Sequence, residues 1–136
     1  MDIRPYLFFN GQAREAATLY ADVFGVPLPP LMTMKDAPAG MDIPEERKNW
    51  IMHCDLKIGN SGIFLSDDVM ANSAAMDGAS VMVTLPTAKE AKRIYDALSN
   101  GGEVRMKWEP TFWSAGFGTL TDKFGIRWMI GTDEAP

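Results

Sequence analysis

His53 and Asp55 stand two residues apart in the run Trp50-Ile51-Met52-His53-Cys54-Asp55-Leu56-Lys57-Ile58. Read as a strand, residues 50–58 place every second side chain on the same face. An imidazole beside a carboxylate is a pairing that moves protons near neutral pH, and His53 is the only histidine of the chain. Catalysis at this pair also requires a third polar group, with Arg127 and Glu109 the candidates, to converge on one point. Cys54 points the other way, together with Met52, Leu56 and Ile58. A reactive thiolate needs exposure and a lowered pKa, so Cys54 reads as a small buried residue. The face bearing Ile51, His53, Asp55 and Lys57 fits a strand lining a cavity and equally a strand with one face in water.

A second group of residues suits binding without chemistry. Trp50, Trp108 and Trp113 carry planar indoles that stack on flat ligands or fill a core or dimer interface. Met82 and Met129 are expected opposite the packed faces of their strands, where flexible thioethers line an adaptable pocket. Arg127 shares that face with Met129. Phe112 and Trp113 are candidates to cap the cavity.

The elements that must position these groups follow from hydrophobic spacing. Residues 3–9 read as a strand broken by Asn10-Gly11. Ala13, Ala16, Ala17, Leu19, Tyr20 and Val23 then have helical spacing, stopped at Gly25. Residues 31–35 are a short strand at most, after Pro27, Pro29 and Pro30. The stretch 36–49, with Pro38, Gly40, Pro44 and four consecutive charges, is expected to be an exposed, mobile loop. Gly59-Asn60-Ser61-Gly62 turns strand 50–58 into strand 63–66. Residues 80–85 form a strand, and Thr87 with Glu90 has the spacing of a capping box. Residues 89–98 form a helix, 103–108 a strand, and 117–121 and 126–130 a last pair around Asp122-Lys123-Phe124-Gly125, which reads as their turn.

The pattern repeats. A shift of 75 places Ala13, Arg14, Glu15, Ala16, Leu19 and Tyr20 on Ala88, Lys89, Glu90, Ala91, Ile94 and Tyr95. A strand precedes each helix and three strand-like segments follow it. One such unit cannot easily close its sheet alone. Two can curve around a shared cavity with their helices outside, and small-molecule sites favour such concave places. The expectation is an α+β protein of two tandem βαβββ modules, about 1–70 and 78–136, within one domain.

Composition bounds the partners. A formal net charge of −5 with no Lys/Arg cluster argues against nucleic acid. No apolar run approaches the ~20 residues that span a bilayer, and the first residues lack the charged and apolar regions of a signal peptide. With a single cysteine there is no intrachain disulfide. A cytoplasmic protein is expected.

Three stretches carry a family likeness: Pro5-Tyr6-Leu7-Phe8-Phe9-Asn10-Gly11 with Ala16, Tyr20 and Val23-Phe24-Gly25; His53-Cys54-Asp55-Leu56-Lys57-Ile58-Gly59 with Leu65-Ser66-Asp67; and Phe112-Trp113 followed by Gly118-Thr119-Leu120-Thr121-Asp122-Lys123-Phe124-Gly125-Ile126-Arg127-Trp128-Met129-Ile130. They resemble the vicinal oxygen chelate superfamily, the glyoxalase, bleomycin-resistance and extradiol-dioxygenase group, and within it the PhnB-like branch. The resemblance implies the paired βαβββ fold and a homodimer. It also implies, for the superfamily's enzymes, one divalent metal held by His and Glu on inward-facing strands, which polarises adjacent substrate oxygens. Carried over singly, the ligand positions fall near Pro5, near Ser80 and at Met129, none of them a suitable ligand, and only the strand of His53 and Asp55 keeps donors. Members of the branch often bear the name of a ubiquinone-precursor methyltransferase, yet no Gly-rich nucleotide loop joins a strand to a helix here.

The first expectation is therefore a protein that binds a small, partly apolar molecule through Trp50, Met82, Trp113, Arg127 and Met129. No cofactor is expected, and a divalent metal is disfavoured. The alternatives are a metal-dependent lyase, isomerase or dioxygenase using His53 and Asp55, and a dimerisation or interaction domain.

Overall fold

The computed structural model describes residues 1–136, which divide into two compact units, 1–74 and 75–136. In the first, β1 (Tyr6–Phe9) leads to α1 (Ala13–Phe24), a two-residue β2 (Met32–Thr33), β3 (Ile51–Ile58) and β4 (Ser61–Asp67). The second repeats this order with β5 (Val81–Leu85), α2 (Ala88–Ser99), β6 (Glu103–Glu109), β7 (Phe117–Thr121) and β8 (Arg127–Thr132). The strands are ordered β1-β4-β3-β2 in one sheet and β5-β8-β7-β6 in the other. In each, the first strand runs parallel to the last and the remaining pairs are antiparallel. The two tandem βαβββ modules are thus present, and neither sheet closes on itself.

Each helix covers one face of its own sheet. Ala13, Ala16, Ala17, Tyr20 and Val23 of α1 are buried, as are Leu7, Phe9, Cys54, Leu56, Ile63 and Leu65 of the sheet. The small alanines let α1 approach the strands closely. Ile94, Tyr95 and Leu98 of α2 are buried along with Leu120, Trp128 and Ile130. The alternation read from the sequence holds over most of both sheets, with Tyr6 and Phe8 exposed on the opposite face of one and Met82 on that of the other, but it fails at the start of β3, where Ile51, expected on the open face, is buried and Met52 is not.

The helix ends show how the two modules differ. Gln12 gives α1 no side-chain cap. The buried carboxylate of Asp67, at the end of β4, substitutes for it, accepting from the N–H groups of Gly11 and Ala13 and, through its second oxygen, from that of Ile51. In the second module Thr87 caps α2 by accepting from Glu90 N–H. The capping box is only half made, because the Glu90 carboxylate pairs with Arg93 instead. Gly25 ends α1 at φ +67°, the left-handed conformation its position suggested.

Two expectations need correction. The stretch 36–49 is not simply an exposed loop. Most of it is exposed, but a 3₁₀ turn at Met34–Asp36 leads into it, another at Glu45–Arg47 lies within it, and Ile43 is buried. The turn between β3 and β4 is also shorter than read. Ile58 pairs with Ser61, so Ser61 and Gly62 already belong to β4. Asp122 makes the expected turn between β7 and β8, accepting from the N–H groups of Phe124 and Ile126 and from the Trp128 indole.

Candidate functional site

On the uncovered face of the first sheet, the register aligns Tyr6, Phe64 and Asp55 in one row, and Phe8, Ser66, His53 and Met32 in the next. Tyr6 stacks on Phe8 with ring centroids 5.0 Å apart, and Phe64 packs against both Tyr6 and His53. The Tyr6 hydroxyl lies 2.8 Å from Nδ1 of His53. Burial holds the Tyr6 phenol above its ordinary pKa, so it stays a hydroxyl at physiological pH. Asp55 turns to a different partner: Arg4 Nη1 lies 3.2 Å from its Oδ1. Arg4 also pairs with Asp2 at 2.8 Å and sits 5.6 Å from the Phe64 ring centroid. Gly62 leaves room for it, since a Cβ there would stand 3.1 Å from Arg4 Nη1.

His53 and Asp55 therefore share a face but not a bond network. One is tied to a phenol and the other to a guanidinium. No three His, Cys, Asp or Glu side chains of the chain gather as metal ligands. The donor set does not fit the divalent metal of the superfamily's enzymes, which requires several converging N or O ligands.

The second sheet presents the equivalent row as Met82, Met129, Thr119 and Met106, one residue from each strand. Arg127 lies one row away, paired across the ladder with Thr121. A hollow of about 320 Å³ opens here, with Ser80, Arg105, Met106, Thr119, Arg127 and Met129 around it. Arg105 shares this face with Glu103 by plain alternation, and a β-bulge brings Met106 to it as well: Val104 faces Leu120 and Met106 faces Thr119, with Arg105 the extra residue between them. Such a bulge puts two successive side chains on one side of the sheet, here Arg105 and Met106. Tyr95 secures it. Its ring passes Gly118, where a Cβ would stand 2.5 Å from Tyr95 Cε2, and its hydroxyl donates to the Met106 carbonyl at 3.0 Å.

The remaining sequence candidates sit elsewhere. Trp50 precedes β3, against Gly11 and beneath the Arg47 guanidinium, 4.7 Å from its ring centroid. Trp113 is more than half exposed and meets Phe112 and Phe117 edge-on. Trp108 packs on Tyr95. Cys54 is 1% exposed, and burial, with the charge of Asp55 adding to it, pushes its thiol up to about 11. A hollow of about 500 Å³ in the first module, lined by Phe8, Met34, Met41 and Met52, was not anticipated. Arg4, Tyr6, Phe8 and Arg105 were also missed. Tyr6 and Phe8 alternate with the packed Leu7 and Phe9, which is a readable signal. Arg105 shares its face with Glu103 by the same alternation, and only the bulge that turns Met106 leaves no signal.

Residues 1–131 match the model of the family described as 3-demethylubiquinone-9 3-methyltransferase. Protein YjdN of Escherichia coli K12 is 32% identical, over 96% of this chain and 94% of its own length. Among solved structures, protein PA1353 of Pseudomonas aeruginosa superposes with a TM-score of 0.88 at 36% identity, covering 98% of each chain. A putative 3-demethylubiquinone-9 3-methyltransferase, PhnB protein, of Bacillus cereus shares the fold at TM-score 0.79 and 22% identity, over 97% of this chain and 99% of its own. A glyoxalase/bleomycin resistance protein/dioxygenase family enzyme of Burkholderia phytofirmans does so at 0.61 and 12%, over 93% and 94%.

Proposed function

Because this chain belongs to the family described as 3-demethylubiquinone-9 3-methyltransferase, the PhnB-like branch of the glyoxalase, bleomycin-resistance and dioxygenase superfamily, we propose that it binds a small, partly apolar molecule on an uncovered sheet face, without the superfamily's metal. The observation that carries this reading is the row Met82, Met129, Thr119 and Met106, which spans the second sheet where no helix covers it. Flexible thioethers adapt to an apolar ligand without fixing its shape. The neighbouring guanidinium and hydroxyls supply the few polar contacts that orient a ligand in such places.

Methyl transfer through a Rossmann-type cofactor site draws no support from the fold. Such a site forms at the carboxyl ends of adjacent parallel strands, behind a Gly-rich turn. Here each sheet has a single parallel pair, and the turn into α1 is Asn10-Gly11-Gln12. The metal-dependent alternative would need further donors to converge on His53 and Asp55, and no three His, Cys, Asp or Glu side chains gather there.

The test is mass spectrometry of the natively purified protein for a co-purifying organic molecule, together with elemental analysis. The expected result is a bound small molecule that Met129→Glu releases, with metal far below one ion per chain. Stoichiometric zinc, iron, nickel or manganese surviving dialysis would overturn the metal-free part. A protein that carries nothing, and whose methionine methyl resonances stay unmoved across a library of small apolar compounds, would overturn the binding reading.

A further inference from the structure

We propose that the open face of the second sheet is a carboxylate site. In it, the guanidinium of Arg127, joined by that of Arg105, takes the acid group of a small amphipathic molecule whose apolar body lies on Met129, Met106 and Met82. The inference deepens the binding reading above and rests on it.

The first sheet supplies the precedent. Matching the two ladders from the last paired residues of β1 and β5 puts Phe64 opposite Met129, Asp55 opposite Thr119 and Gly62 opposite Arg127. In the first sheet Arg4 lays its guanidinium beside Gly62 and Phe64, and the chain's own carboxylate, Asp55, answers it at 3.2 Å. Asp2 adds a second acid at 2.8 Å. In the second sheet a guanidinium is anchored at the matching place, now on β8 as Arg127. The residue matching Asp55 is Thr119, so no acid comes from within the sheet at that position.

What remains around Arg127 is incomplete. Its one ion pair, to Asp77 at 3.3 Å, is to a side chain 98% exposed. Exposed pairs of this kind contribute little. Its Nε is shut off from solvent and makes no hydrogen bond. A buried donor without an acceptor costs free energy, and the side chain, 21% exposed, offers its other donors to an incoming acceptor. Arg105 lines the same hollow and forms no ion pair; Glu109 of its strand pairs with Lys107. The acids nearby are Asp77 and Glu103, the latter in the row of Arg127 but separated from it by Thr121. Thr119 and Ser80 add hydroxyl donors, and the hollow of about 320 Å³ suits a small ligand. A carboxylate matches the planar fork of a guanidinium, and the methionine row favours an apolar remainder.

Octanoate and octanamide, which share a chain and differ in charge, separate the possibilities when titrated by calorimetry with methionine-methyl NMR. Octanoate is expected to bind at least about tenfold more tightly, as charge-assisted hydrogen bonds warrant. Arg127→Gln should erase that preference and Arg105→Gln reduce it. Equal affinity for the two compounds overturns the carboxylate site and leaves the apolar binding reading standing. A preference for octanoate that survives the double variant also overturns it, since the acid then binds elsewhere. If neither compound moves the methyl resonances of Met82, Met106 or Met129, the inference and the binding reading fail together.

Discussion

Cys54 shows how one side chain's chemistry is decided by the face it occupies. The alternation of β3 turns it under α1, where burial raises its pKa from an ordinary 9.0 to about 11. In the folded protein it should resist iodoacetamide at pH 8 and react fully once denaturant is added, which quantitative mass spectrometry would read. The same shift links to stability. The folded state holds the thiol proton more tightly than the unfolded chain does. That contribution is therefore complete below pH 9.0 and lost as pH rises toward about 11. Cys54→Ala should flatten the fall in stability across that window in urea titrations. His53 was legible as the one candidate proton carrier, but its partner was not. Tyr6 lies 47 positions away, and only the pairing of β1 with β4 and of β4 with β3 brings the two together.

At the scale of elements, Tyr95 links the covered face of the second sheet to the open one. Its ring occupies the space Gly118 leaves, and its hydroxyl holds the bulge that sets Met106 beside Arg105. Tyr95→Phe should cost about 1 kcal/mol in chemical denaturation, the usual net worth of one hydrogen bond, and weaken carboxylate binding without loss of fold. Gly118→Ala should cost more, about 1–3 kcal/mol, because its methyl group meets the ring. Asp67→Ala should be costlier still, about 3 kcal/mol, since two buried N–H groups and a partly buried one lose their acceptor. Strands and helices were readable because their apolar periods are strong over five or more residues. The short pieces were not. The 3₁₀ turns at Met34–Asp36 and Glu45–Arg47 have no period to detect, and prolines in that stretch mimic an open loop. Asp67 sits in sequence like any polar residue after a strand, and its role depends on a helix start 54 positions earlier.

The whole molecule is one design used twice, with identical strand order in both sheets. The homodimer that the family resemblance implies remains an expectation, and sedimentation velocity would test it by a species at twice the 15.0 kDa chain mass. No helix is long and apolar enough to cross a membrane. The copies diverge in how their helices begin, and this difference bears on the order of assembly. Thr87 caps α2 from the adjacent residue, so that helix can start as soon as its own turn forms. The start of α1 waits for a carboxylate delivered by β4, after the β3–β4 hairpin has closed. Local contacts form sooner than distant ones because less loop entropy is lost in making them. Pulse-labelling hydrogen exchange during refolding should find α2 amides protected before those of α1, so that the half of the chain synthesised last supplies the first stable helix.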